Sequence, residues 1–384
     1  MRVTHTRWLL SLLKTLPVSL LCAGFGFMAY MGMMGDLGYD HTLFGISIVI
    51  TWAFISTLFF LMVHTGKTDR YRAILFIAYA VLFSIGFIAN NIANRGAMFF
   101  TEQDIARCEI PFCHIATTMM LLPMAVGKTL LFPGSLSAIL SMVILAVITA
   151  LVLGRGFCGY VCFYGGLEDG CSRLSKKAKI KGINPKWSLI PFAVLITSML
   201  TTLAALSPTY CFWACPFKAV TEYEKIVNPI VLIQTIIFLV LFIGLVVVLP
   251  ILTKKRTQCS FLCPFGAMMS LCNPINPFTI RIDTEKCTGC RRCIQVCPTF
   301  SLTHESLQTG KPRINCTKCG KCVDACPRGA IHYHIRGTCP DRGHEAKRLI
   351  FLHAAFILLI AVGAPSIADG LYRILHLIVA GSFV

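Results

Sequence analysis

About seven stretches of roughly 20 residues, near 14–34, 43–63, 73–93, 136–153, 189–207, 230–252 and 349–364, are almost free of charge, and that is the length a helix needs to cross the hydrocarbon of a bilayer. Only 14% of the 384 residues are charged and 56% are hydrophobic, against about 25% charged in water-soluble domains. Such a chain must turn most of its surface toward lipid or a buried core. Helices satisfy their own backbone groups in lipid, so an all-α membrane bundle is expected. The last stretch is short and meets Pro365, which predicts a helix ending there and an interfacial continuation carrying Arg373 and His376. Arg2 and Arg7 precede the first stretch as in a signal peptide, but no small-residue cleavage site follows, so an uncleaved first span is expected.

The net charge of +18 is unevenly distributed. The 64–72 loop carries Lys67, Arg70 and Arg72 against Asp69, and Lys and Arg dominate both 154–188 and 253–348. The alternate loops are acidic or balanced: Asp36 and Asp40 stand in the first, and 94–135 and 208–229 carry equal numbers of each sign. This is the positive-inside asymmetry. It places the basic segments in the cytoplasm of a prokaryotic inner membrane and accounts for the basic excess without a nucleic-acid partner.

Twenty cysteines are the second anomaly. Disulfides persist in oxidising compartments, whereas eight of these thiols stand in two runs of the basic 253–348 segment, so metal ligation is the better reading there. The runs are "CTGCRRCIQVCP" (287–298) and "CTKCGKCVDACP" (316–327), each Cys-x2-Cys-x2-Cys-x3-Cys-Pro. In this bacterial ferredoxin pattern three close thiolates hold three irons of a cubane and the fourth ligand comes from the other run. Cys287, Cys290, Cys293 and Cys326 are thereby assigned to one [4Fe–4S] cluster, and Cys316, Cys319, Cys322 and Cys297 to a second. Zinc knuckles separate two ligand pairs by a longer spacer and fit the spacing worse. The alternation in "FTIRID" and "AIHYHI" predicts flanking strands, hence a small α+β module.

The remaining cysteines repeat. At a shift near 101 residues, "CGYVCFYGGLEDGC" (158–171) falls over "CSFLCPFGAMMSLC" (259–272), and "CEIPFC" (108–113) over "CFWAC" (211–215). Tandem units of this kind suggest parallel repeats about an axis along the membrane normal. The chain then divides into a three-span region (1–93), membrane repeats at 94–188 and 189–279, the ferredoxin domain at 280–348 and a C-terminal membrane segment (349–384). Cysteines four apart on a helix share one face. Two such faces make a four-thiolate cage, so up to two further clusters are expected: Cys158, Cys162, Cys259 and Cys263 at the cytoplasmic rim, and Cys108, Cys113, Cys211 and Cys215 at the other. A disulfide at Cys108–Cys113 or Cys211–Cys215 is the rival reading on the oxidising side.

Cys22, Cys171, Cys272 and Cys339 read as packing or spare thiols. The stretch 112–134, broken by Pro123 and Pro133, is too short to span; it predicts a re-entrant hairpin that carries Cys113 inward. His114, beside Cys113, is the histidine of interest. The basic run 173–186 reads as a loop near anionic headgroups.

Cys-x3-Cys-Pro pairs at the ends of spans ("CFWACP", "CSFLCP"), "GRGFCGYVC" after a span and a two-cluster module together resemble the membrane-bound ferredoxin-type proteins of the NapH, NosR and CcoG kind, over roughly 154–335. The resemblance implies electron transfer between a cytoplasmic donor or quinol pool and a redox partner protein or subunit on one or both faces. Phe163 stands where that family's pattern has proline, and the Cys108/Cys113 pair lies outside it. Two rivals of other classes are a quinol dehydrogenase subunit, with quinone bound among the spans, and a membrane thiol–disulfide or metal reductase.

Overall fold

A computed structural model describes residues 2–33, 40–100, 113–127, 136–221, 223–339 and 342–382. Its principal helices are α1 (Arg2–Met33), α2 (His41–Thr65), α3 (Thr68–Arg95), α4 (His114–Gly127), α5 (Leu136–Val152), α6 (Phe163–Leu174), α7 (Ile190–Ala205), α8 (Pro229–Leu241), α9 (Pro264–Cys272) and α10 (His344–Ala380). A π-helical turn, Phe242–Val248, and Leu249–Thr253 prolong α8. Among the described residues six helices are long and apolar enough to cross a membrane. A seventh crossing exists only if Val143–Val152 and Gly154–Tyr160, which meet at 107°, count as one bent span.

The expected stop at Pro365 is not found. Helix α10 runs unbroken from His344 to Ala380 with Pro365 inside it. Neighbouring helices hold the segment straight: α10 packs on α3 so closely that a Cβ at Gly370 would collide with the Leu82 carbonyl. Proline is tolerated within helices buried in this way. α2 is capped by Asp40, whose carboxylate accepts the Thr42 and Leu43 amides, and ends at Gly66 with φ 76°.

The ferredoxin module carries the two expected strands, β3 (Phe278–Ile282) and β4 (Ile331–Ile335). They are antiparallel, with Phe278 opposite Ile335 and Ile282 opposite Ile331. A second, two-residue pair, β1 (Phe99–Phe100) and β2 (Tyr223–Glu224), is parallel. The module is seated on the helices at backbone contact. A Cβ at Gly159 would stand 2.5 Å from the Thr317 carbonyl oxygen, Arg256 N donates to Pro298 O at 2.8 Å, and Asn273 Nδ2 donates to the carbonyls of Ile314 and Cys316. Asp324 of the module also accepts the first α3 amides, those of Thr68 and Asp69, at 3.1 and 2.7 Å. The module thus caps a helix that supplies no cap of its own.

Candidate iron–sulfur sites

Five Cys-x3-Cys units adopt one local structure. In each, a single helical turn carries the first cysteine: Phe157–Tyr160, Thr209–Trp213, Thr257–Phe261, Arg292–Val296 and Lys321–Ala325. The second cysteine then leaves the helix. Cys162, Cys215, Cys263, Cys297 and Cys326 all lie at φ between −84° and −61° and ψ between 105° and 118°. Four of the five precede proline, which drives the preceding residue out of the helical region; Cys162 holds the same conformation before Phe163. The expectation that each pair shares one face of a continuous helix is therefore corrected. The membrane pairs have the backbone of the ferredoxin pairs.

The two ferredoxin sets assemble across the runs. Cys287, Cys290, Cys293 and Cys326 line one cavity, and Cys297, Cys316, Cys319 and Cys322 line another. In both runs the chain turns through left-handed backbone at matching places, Gly289 with Lys318 and Arg291 with Gly320, a conformation that costs a non-glycine residue about 1–2 kcal/mol. Lys318 is held there by three neutral acceptors: its ammonium donates to Leu153 O, Asn273 Oδ1 and Asn276 Oδ1 at 2.7–2.9 Å. Burial pushes the Cys297 thiol up, but Lys255, the Ser301 hydroxyl and the Thr299 and Leu302 amides outweigh it and draw the thiol below its ordinary range.

The third set, Cys158, Cys162, Cys259 and Cys263, is buried throughout. Its members are close enough to interact electrostatically. Each half of the set is held by an arginine from the other. Arg155, three residues before Cys158, donates to the Cys259 carbonyl at 2.7 Å, and Arg256, three before Cys259, donates to the Cys158 carbonyl at 2.9 Å. Asp169 balances Arg256, Arg72 and Arg173 at 3.0–3.1 Å. Glu168 accepts the Gln258 and Cys259 amides and so caps the turn that carries Cys259. The sequence analysis did not single out Arg155, Arg256, Lys318, Glu168 or Asp169; an arginine three before both pairs was the available signal.

Of the fourth set, Cys113, Cys211 and Cys215 come together, with the Cys113 and Cys211 thiols hydrogen-bonded; Cys108 lies outside the described residues. The described members of the third and fourth sets, expected at opposite rims, adjoin one another. Cys215 is within electrostatic reach of Cys263, and His114 Nε2 lies 3.3 Å from Cys162 Sγ. Tyr164 stacks on Phe217 at 3.8 Å between the two sets, and Tyr210 Oη accepts from Gln258 Nε2 at 3.1 Å. The pairs approach because 154–162, 209–219 and 257–263 are short broken segments rather than the ends of straight spans. Helix α4, with Pro123 inside it, packs on α7 and follows directly on the half-buried Cys113; Pro133 lies outside the described residues.

The family model described as a 4Fe–4S dicluster domain matches residues 279–333. A second, described as a 4Fe–4S binding domain, matches three times, at 135–181, 187–230 and 235–276, and each match contains one membrane Cys-x3-Cys pair. Along these stretches the chain carries 4Fe–4S domains of the dicluster and binding types. The 101-residue register of the sequence corresponds to two of these matched units, and Cys108 and Cys113 precede the first. Among curated relatives, the chain is 26% identical over 181 residues to the putative electron transport protein YccM of Escherichia coli, covering 44% of this chain and 48% of the relative. It is 29% identical to the methylamine utilization ferredoxin-type protein MauN of Methylobacillus flagellatus, over 44% of this chain and 58% of that one. An uncharacterised protein of Methanocaldococcus jannaschii is 27% identical over 43% of this chain and 67% of its own length. The chain thus spans about half to two-thirds of these relatives. No solved structure matches it.

The residues of these sets fit iron–sulfur clusters on a physical test. Arg155 is 1% exposed, and among the described residues its side chain meets only neutral acceptors, with Nε unpaired. Lys318 is 3% exposed and also has only neutral partners. A buried cation without a counter-charge costs several kcal/mol, and an anionic thiolate-ligated group beside Cys158 and Cys316 supplies that counter-charge. None of the described cysteines is joined in a disulfide.

Proposed function

We propose that the chain is a multi-pass membrane electron-transfer subunit that holds two clusters in the ferredoxin module, a third at Cys158, Cys162, Cys259 and Cys263, and a fourth at Cys113, Cys211, Cys215 and Cys108. Bound there, the clusters supply one-electron chemistry. The chain's own residues ligate them, exclude water and set the electrostatics through Arg155, Arg256 and Lys318. The observation that carries this reading is the backbone shared by the membrane and ferredoxin pairs. In this reading the four sets form a series that starts at the exposed Cys290 and ends at Cys211. A cytoplasmic donor would meet the module and a second redox protein the far end, in line with the name of the YccM relative. Positive-inside charge supports a cytoplasmic module in a prokaryotic inner membrane. The test is redox titration followed by electron paramagnetic resonance. Cys158→Ser combined with Cys263→Ser should abolish one set of reduced-cluster signals and leave the ferredoxin signals intact; an unchanged spectrum contradicts the proposal.

A second reading rests on the Cys113–Cys211 thiol contact: a thiol–disulfide relay at the fourth set. It predicts that both thiols alkylate after reduction and resist it after mild oxidation, in protein whose other clusters are retained.

A further inference from the structure

Where α1, α2 and α10 meet the ferredoxin module they border an open cavity of about 1030 Å³ that no cysteine lines. It lies outside all four thiol sets, and nothing in the electron-transfer reading uses it. Its walls are basic. Arg7 and Lys14 come from α1 and Arg348 from the first turns of α10, beside the imidazoles of His64, His344 and the neutral His332. Glu345 is the carboxylate in the lining, and Lys14 engages it at 3.2 Å. Arg348 donates to the Gly66 and Met62 carbonyls; Asp324, whose field it feels, is committed to the α3 amides. Neither Arg7 nor Arg348 forms an ion pair among the described residues. Positive charge here therefore exceeds negative, at the end of the bundle where the helices enter the module.

Size and apolar lining narrow the ligand. Ligand pockets run to about 300–1,000 Å³, so this cavity is far too large for a lone inorganic anion. Leu10 and Ile331 give it an apolar wall. On the outer flank of α1, Trp8, Leu9 and Leu13 are 48%, 58% and 63% exposed, which sets the hydrocarbon edge at the level of the cavity. Basic pockets between spans at that level receive anionic headgroups. We infer that the cavity binds the headgroup of an anionic phospholipid, with its phosphate among Arg7, Lys14 and Arg348 and its glycerol against Leu10 and Ile331. The bound lipid joins the module, through His332 and Ile331, to α1, α2 and α10.

The experiment uses the full chain with its clusters, purified and delipidated in detergent. Thermal unfolding and native mass spectrometry are read after adding phosphatidylglycerol, phosphatidylcholine, inorganic phosphate or a short-chain ubiquinone. The expected result is a rise in Tm and retention of phosphatidylglycerol only. Arg7→Gln combined with Lys14→Gln should weaken retention at least about tenfold while leaving Tm in phosphatidylcholine and the visible absorbance unchanged. Glu345→Gln, which removes the competing carboxylate, should retain the lipid as well as or better than the natural chain. Equal stabilisation by inorganic phosphate would mark a free-anion site, and displacement by ubiquinone a quinone site. Undiminished phosphatidylglycerol retention in the double variant would mark a non-specific lipid annulus. Each of these three results overturns the inference.

Discussion

Asp169 shows how much charge a residue can organise when it is fully buried. It faces Arg72, Arg173 and Arg256 at once, and Arg256 in turn holds the Cys158 carbonyl. Asp169→Asn leaves those guanidinium groups undercompensated, and breaking buried pairs of this kind costs about 3–5 kcal/mol. Chemical denaturation of the detergent-solubilised protein should show a loss of that size. Arg155 differs, because its acceptors are neutral. Arg155→Gln should cost less stability but shift the midpoint of the membrane cluster to lower potential, since a buried cation favours the more negative reduced state. Potentiometric titration of the natural and variant proteins measures that shift, and an unmoved midpoint would detach Arg155 from the cluster. The charge relations were not legible in the sequence. Arg155 and Cys259 stand 104 residues apart and Arg256 and Cys158 stand 98 apart; only the fold brings each arginine to the opposite pair. The cysteine spacing, by contrast, is local covalent information, and both crossed ferredoxin sets could be read from it.

At the scale of elements, the seam between α3 and the module depends on Asp324. Removing a cap of this kind typically costs about 0.5–2 kcal/mol, so Asp324→Ala should lower Tm and speed amide exchange at Thr68 and Asp69 before it affects α10. The β4 edge of the same seam is sensitive to acid. Burial, followed by the nearby His344, His334 and Lys347 with Asp283 opposing, holds His332 down to about 4 from an ordinary 6.5. The unfolded chain therefore takes up this proton first. The stability that comes from the neutral imidazole is complete above about pH 6.5 and is lost as pH falls toward about 4. Tm measured across that window should fall less steeply in His332→Phe than in the natural chain. Strands β3 and β4 were legible from their alternation, whereas the bend of 107° after α5 was not. Hydropathy reports how apolar a run is but carries no direction, so a segment that turns back into the bundle reads like one that ends at a rim. The same blindness let α10 pass through Pro365 unnoticed, because the packing that tolerates the proline comes from α3.

The whole molecule is a helical bundle with a ferredoxin module fastened to one end, and described members of the thiol sets lie in both parts, Cys215 within electrostatic reach of Cys263 and Lys318 of the module within reach of Cys158. The proposed electron path requires the membrane pairs to hold the same kind of group as the module. Iron and acid-labile sulfide counted per chain test this most directly, in anaerobically purified natural protein and in Cys263→Ser. Four clusters predict about sixteen irons, falling to about twelve in the variant. About eight irons in both would leave only the ferredoxin module loaded and would contradict the account.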